Sequence, residues 1–73
     1  MENPEFRKEV GLKIRKARKK AKFTQAQLAL QIEMSSNHLA MIERGEINTT
    51  IDALKKIADA LKIDVSFLVK IKK

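Results

Sequence analysis

Residues 24–45 read TQAQLALQIEMSSNHLAMIERG, two short amphipathic helices with very few residues between them. Thr24 is an N-cap residue with Gln27 three positions on, the reciprocal arrangement in which each side chain satisfies a free backbone N–H near the other. Leu28, Ala29 and Ile32 then recur on one helical face. Ser35 restarts the pattern as a second cap, Leu39 and Ile42 fall three apart on the inner face, and Gly45 stands where a helix closes through a left-handed residue. Only Glu33 and Met34 separate Ile32 from Ser35, so the two helices are predicted to cross steeply rather than run antiparallel.

Outside this pair the chain continues in helical spacing. Asn3 and Pro4 form a cap followed by a first-turn proline, and Phe6, Val10, Ile14, Ala17 and Ala21 mark one face of a helix from about Pro4 to Ala21. Gly11 inside it weakens the helix by about 1 kcal/mol relative to Ala, which points to close approach of another backbone. Leu12 lies off the apolar stripe and is expected to be partly exposed. After Gly45, Glu46 to Thr49 form a polar loop interrupted by Ile47. Thr50 then caps a helix carrying Ile51, Leu54, Ile57, Ala58 and Leu61, and Asp64 caps a last short one with Val65, Leu68 and Val69. The expected fold is all-α: five helices and no strands in a single compact domain over residues 1–73.

Composition bounds the function. A chain of 73 residues has a small core, so association is a natural source of extra stability. With no Cys there is neither a disulfide framework nor a thiolate metal site, and no apolar run approaches the roughly 18 residues of a membrane span. The start MENPEFRKE is not signal-like, which leads to the expectation of a soluble, cytoplasmic protein. The net charge of +7 is unevenly distributed: residues 1–22 carry +6, residues 23–69 carry −2, and Lys70, Lys72 and Lys73 add +3. A field of this shape attracts a polyanion from the first helix and the tail, while a near-neutral second helix of the pair is left to make selective contacts.

Thr24-Gln25, Leu28-Ala29, Ser35, Ile42-Glu43-Arg44-Gly45, Asn48, Leu54, Ile57-Ala58 and Ala60-Leu61 together resemble the Xre and Cro/repressor-like helix-turn-helix family, from about Val10 to Leu68. The resemblance implies a five-helix domain that binds operator DNA as a symmetric dimer, its third helix in the major groove. The short basic chain is also similar to the controller proteins of restriction-modification systems. Three positions depart from the family pattern. Lys22 and Glu33 stand where Gly is common, so each must be strained or adopt another local geometry, and Thr49 replaces a common Pro before the fourth helix.

In that fold the exposed start of the third helix faces base edges, here Ser36, Asn37 and His38, with Ala40 and Met41 one turn later. The Asn37 amide matches adenine N6 and N7, worth about 1–3 kcal/mol of discrimination; the alternative is a solvated Asn at the helix start. Ser36 suits a base or a phosphate. His38 suits a phosphate or guanine, and as a lone imidazole without Cys it makes no metal site; no cofactor is expected. Met41 can touch a thymine methyl or fill the helix junction. Gln25, at the start of the second helix, is a candidate for a backbone phosphate. The resemblance makes Arg44 and Asn48 backbone clamps, with Lys19, Lys20 and Lys22 as a general field from which Lys19 and Lys22 are the nearest candidates. It also pairs Arg18 with Glu43, tying the first helix to the end of the third and setting its angle more than adding stability.

A half-site read by three or four side chains specifies little sequence, so a homodimer on sites about one helical turn apart is expected. Ile47, Ile51, Phe67 and Val69 are the interface candidates, against completion of the monomer core; the tail from Lys70 to Lys73 can extend the last helix, fray or pair across the dimer. The function expected is a sequence-specific transcription regulator, repressing where its operator overlaps a promoter and activating if it also contacts RNA polymerase. The competing reading is an antitoxin-like subunit that neutralises a partner protein. A membrane-surface helix on residues 4–22 fits poorly with the folded pattern downstream. An enzyme fits worse: there is no nucleophile–base set in a recognisable context, no phosphate-cradling Gly loop and no metal-ligand cluster.

Overall fold

The computed structural model describes residues 3–70. Among them the chain forms α1 (Pro4–Lys20), α2 (Gln25–Gln31), α3 (Ser36–Glu43), α4 (Ile51–Leu61) and α5 (Val65–Val69), with no strand. The all-helical expectation is therefore met. The tail beyond Lys70, for which three fates were open, lies outside the described residues.

Each helix starts where a polar side chain takes a free backbone N–H. Asn3 Oδ1 accepts from the Glu5 N–H at 2.8 Å, Ser35 Oγ from His38 at 3.0 Å, Thr50 Oγ1 from Ala53 at 3.0 Å and Asp64 Oδ1 from Ser66 at 2.9 Å. At α2 both halves of the capping box form: Thr24 Oγ1 accepts from the Gln27 N–H, and Gln27 Oε1 accepts from the Thr24 N–H. The bond to Ser66 also holds the Asp64 carboxyl below its ordinary pKa, because it stabilises the charged form.

The first four helices end through left-handed residues, whereas α5 ends at an extended Lys70. Lys22 follows the C-cap Ala21 at φ 65°, Glu33 follows the C-cap Ile32 at φ 58°, and Lys62 is itself the C-cap of α4 at φ 59°. At Lys22 and Glu33, the two positions where the resemblance led to the expectation of glycine, the chain thus adopts glycine's conformation with a side chain attached. Gly45 closes α3 at φ 73°, with its N–H donated to Ile42 O and that of Glu46 to Met41 O, both at 3.0 Å.

The core joins all five helices: Val10 and Ile14 of α1, Leu28 and Ala29 of α2, Leu39 and Ile42 of α3, Leu54, Ile57, Ala58 and Leu61 of α4, and Leu68 of α5. Burying these faces supplies most of the stability that helices this short cannot draw from propensity. Gly11 answers the question its position raised: a Cβ there would stand 2.5 Å from the carbonyl oxygen of Ile42 and 2.7 Å from the carbonyl carbon of Glu43. The missing side chain lets α1 and the end of α3 touch backbone to backbone. Leu12 is exposed, as its place off the stripe suggests. Thr49, the position at which the resemblance led to the expectation of Pro, has a buried hydroxyl with no partner among the described residues, which nothing in the structure explains.

Candidate nucleic-acid interface

The surface centred on α3 is built from a buried brace, an exposed row at the helix start and a cluster of cations and amides at its end. The brace comes first because it holds the helix. Arg18 and Glu43 lie at inward-facing positions of α1 and α3, with side chains only 8% and 2% exposed. Arg18 Nε donates to Glu43 Oε2 at 2.7 Å and Nη2 to Oε1 at 3.2 Å, a two-pronged contact in which the planar guanidinium matches the carboxylate. Nη1 donates to the Phe23 carbonyl at 2.8 Å, so the loop between α1 and α2 is fastened to the same group. Burial makes the pair poor as a net source of stability, yet removing either partner leaves the other charge stranded.

Gln25 completes this brace. Its Nε2 donates to Glu43 Oε1 at 3.0 Å. Because a carboxylate only accepts, the amide must present nitrogen inward, leaving oxygen as the atom free to face outward. Sequence reasoning placed this amide on a phosphate, which also only accepts; in the free chain one of its two N–H donors is committed to Glu43. The residue was found by position, but the direction of its amide depends on a partner 18 residues away.

At the opposite end of α3, Ser36, Asn37 and His38 are all exposed, and none of their side chains hydrogen-bonds to any of the described residues. Ser35 takes the capping role, so its three successors are released from it. Met41 is half-buried one turn on, while Leu39 and Ile42 point into the core. The helix therefore divides into a fixed inner face and an outer polar row.

Past the end of α3, Arg44 and Asn48 are exposed. Arg44 grips Glu46, Nε to Oε2 at 2.7 Å and Nη2 to Oε1 at 3.1 Å, with the two side chains 53% and 50% exposed. Their hydrogen bonding lowers the Glu46 pKa and raises that of Arg44, so both remain charged at neutral pH. Asn48 Oδ1 accepts from Arg7 Nη1 at 3.4 Å, and Arg7 Nε donates to Gly45 O at 3.3 Å. A guanidinium only donates, so the amide turns its oxygen to Arg7 and keeps its NH2 available, the opposite of Gln25. Arg7 was not singled out from the sequence; it is one cation among many on α1, and only the fold brings it to a loop 38 to 41 residues away. Lys19 and Lys22 are exposed at and just beyond the end of α1.

The interface candidates separate by burial. Ile47 and Val69 are half-buried against the core, whereas Ile51 and Phe67 are 64% and 52% exposed. Lys13 Nζ lies 5.3 Å from the centre of the Phe67 ring and donates to the carbonyls of Phe67 and Lys70, closing α5 from α1. Leu30, which the sequence did not single out, is the most exposed large apolar residue among the described residues at 81%. Among the described residues no group of acidic, His or Cys side chains is placed to hold a metal ion, and no helix is long and apolar enough to cross a membrane.

With that geometry in place, comparisons with known proteins give a consistent answer. The helix-turn-helix family HTH_3 matches residues 14–68. The immunity repressor protein of Bacillus phage phi105 is 43% identical over 60 residues, 82% of this chain and 42% of that protein; the chain spans less than half of this relative's length. Among solved structures, the clp gene regulator ClgR from C. glutamicum superposes with a TM-score of 0.84 at 25% identity, covering 88% of this chain and 82% of that one. The restriction-modification controller protein C.AhdI from Aeromonas hydrophila superposes at 0.86 and 24% identity, covering 93% and 99%, which shows a shared fold. The family and these relatives are DNA-binding regulators rather than enzymes. The matched segment takes in the brace, the polar row and Arg44 alike, and the chain belongs to the Xre-like helix-turn-helix family of DNA-binding regulators.

Proposed function

We propose that the protein occupies a pseudo-palindromic operator as a homodimer and regulates transcription, with α3 lying in the major groove of each half-site. The observation that carries this reading is the outer row of α3: Ser36, Asn37 and His38 are exposed and uncommitted on a helix whose other face is buried and braced by Arg18. Asn37 pairs with adenine through its two-sided amide, Ser36 and His38 bond a base edge or a phosphate, and Met41 packs against a thymine methyl. Arg44, Asn48, Lys19 and Lys22 hold the phosphate backbone, the amide of Asn48 by its free NH2. Gln25 steadies the brace by giving one amide N–H to Glu43 and offers the second N–H to a phosphate. The two copies meet through Ile51 and Phe67, with Ile47 and Val69, because Ile51 and Phe67 are the two of the four exposed large apolar side chains among the described residues that lie in the C-terminal half, after α3. Such a regulator acts in the cytoplasm, repressing where the operator overlaps a promoter and activating where it also touches RNA polymerase.

Selection from a random duplex library at several salt concentrations tests the reading. Recovery of one two-fold-symmetric motif that survives moderate salt is the expected outcome. Binding that is uniform across sequences and vanishes with salt would mean attraction without reading. Capture of one protein partner by a chain with no sequence preference would favour the antitoxin-like role.

A further inference from the structure

Arg44 is the proposed phosphate clamp at the end of the recognition helix, and in the free chain the Nε–Nη2 edge of its guanidinium is already occupied. Two of its nitrogens are bonded to the two oxygens of Glu46, at 2.7 and 3.1 Å. The geometry is that of a guanidinium gripping a phosphate, with a carboxylate standing where the phosphate oxygens would go. We propose that Glu46 is an internal competitor of DNA phosphate for Arg44, and that it sets how tightly the protein holds any duplex. This rests on the reading of Arg44 as a phosphate clamp and adds to it a residue that opposes binding.

Three observations make the competition specific to Glu46. First, its backbone is not free to swing away: the Glu46 N–H is donated to Met41 O and that of Gly45 to Ile42 O, and Gly45 is left-handed at φ 73°, so the turn that ends α3 delivers the carboxylate two residues from Arg44. Second, Arg7 Nε donates to Gly45 O and fastens that turn to α1. Third, the pair is about half exposed at both ends, which keeps it exchangeable; an exposed pair of this kind is weak enough for a phosphate to displace. The brace beside it differs in the respect that matters, since Glu43 is buried and also holds Gln25.

When a duplex arrives, the Arg44–Glu46 contact must open before Arg44 can grip phosphate through its Nε–Nη2 edge, and the released carboxylate then stands near the polyanion. Both effects weaken binding to all sequences alike, since phosphates carry no base identity. Under this scheme Glu46 restrains nonspecific attachment by a chain of net charge +7 while leaving the choice made by Asn37 untouched.

The test measures duplex affinity for the full chain and for E46Q, R44A and the R44A/E46Q double variant, on the library-selected duplex and on one of arbitrary sequence. We expect E46Q to bind both duplexes about 3- to 10-fold more tightly, as for loss of a weak pair and of one repelling charge. In the R44A background the same change should gain at most about 2-fold, because the competed group is gone. An unchanged thermal midpoint in E46Q shows that the fold is not what moved. An E46Q variant that binds no more tightly overturns the proposal, as does an equal gain with and without Arg44, which would mean plain charge repulsion. A wild-type chain that selects no motif but shows the Arg44-dependent gain on the arbitrary duplex would sink sequence reading while upholding competition. A chain that binds neither duplex sinks both.

Discussion

Arg18–Glu43 and Arg44–Glu46 are the same chemical contact made twice, through the chain neighbours Glu43 and Arg44, and opposite in environment. In both, Nε meets a carboxylate oxygen at 2.7 Å and a second nitrogen meets the other oxygen within 3.2 Å. The first is buried between α1 and α3 and carries further bonds to Phe23 O and Gln25. The second is open to water at both ends and carries none. Distance therefore does not tell what a pair does. Where water is excluded, no external group can replace the partner, so the contact fixes an angle; where water reaches it, any anion can compete, so the contact is a switchable one.

The contrast is broken most severely from the buried side. Glu43→Ala leaves the Arg18 guanidinium in the interior without its carboxylate and should lose about 3–5 kcal/mol in denaturant unfolding. Replacing Arg18 by Met and Glu43 by Leu together should lose less than the single change, since no charge is then stranded; an E43A variant as stable as wild type would remove the structural role. Gly11→Ala strikes the same joint without touching a charge. Its Cβ meets the carbonyls of Ile42 and Glu43, backbone that cannot rotate aside, so a loss of about 1–3 kcal/mol and weaker duplex binding are expected.

From the exposed side the effects move from folding to binding. Arg44→Ala should weaken every duplex alike and lower the slope of log affinity against log salt by about one, with the base preference unchanged. Smallest of all is Glu46→Ala read by thermal unfolding: the midpoint should stay at the wild-type value even as duplex affinity rises. If E46A unfolded as readily as E43A, the division between the two pairs would fail.

Much of this was legible in the sequence because the signals are local. Asn3, Thr24, Ser35, Thr50 and Asp64 announce helix starts through bonds to residues two or three positions on, and Gly45 announces a left-handed close. Gly11 was legible by its misfit, a poor helix former in mid-helix that made sense only with a second backbone against it. The pairing of Arg18 with Glu43 was legible only through the family resemblance, and the structure shows both charges buried. What stayed hidden depends on distant partners. Nothing about Arg7 or Lys13 separates them from the other cations of α1 until the fold brings Gly45, Asn48 and Phe67 beside them. The direction of the Gln25 amide was hidden for the same reason, since the sequence gives a donor and an acceptor and only Glu43 decides which turns inward. Lys62 escaped because a left-handed Lys carries no mark in composition, unlike a Gly.

The central claim is a division of labour: the exposed row of α3 chooses sequence, and the residues beyond its end hold the backbone. It is tested most directly by measuring the affinity of Asn37→Ala and of wild type for every single-base variant of the library-selected site. The account predicts that N37A loses about 1–3 kcal/mol of discrimination at one position in each half-site and keeps its preferences elsewhere. A variant that binds all of the duplexes more weakly by one common factor, with the wild-type order of preference intact, would contradict it.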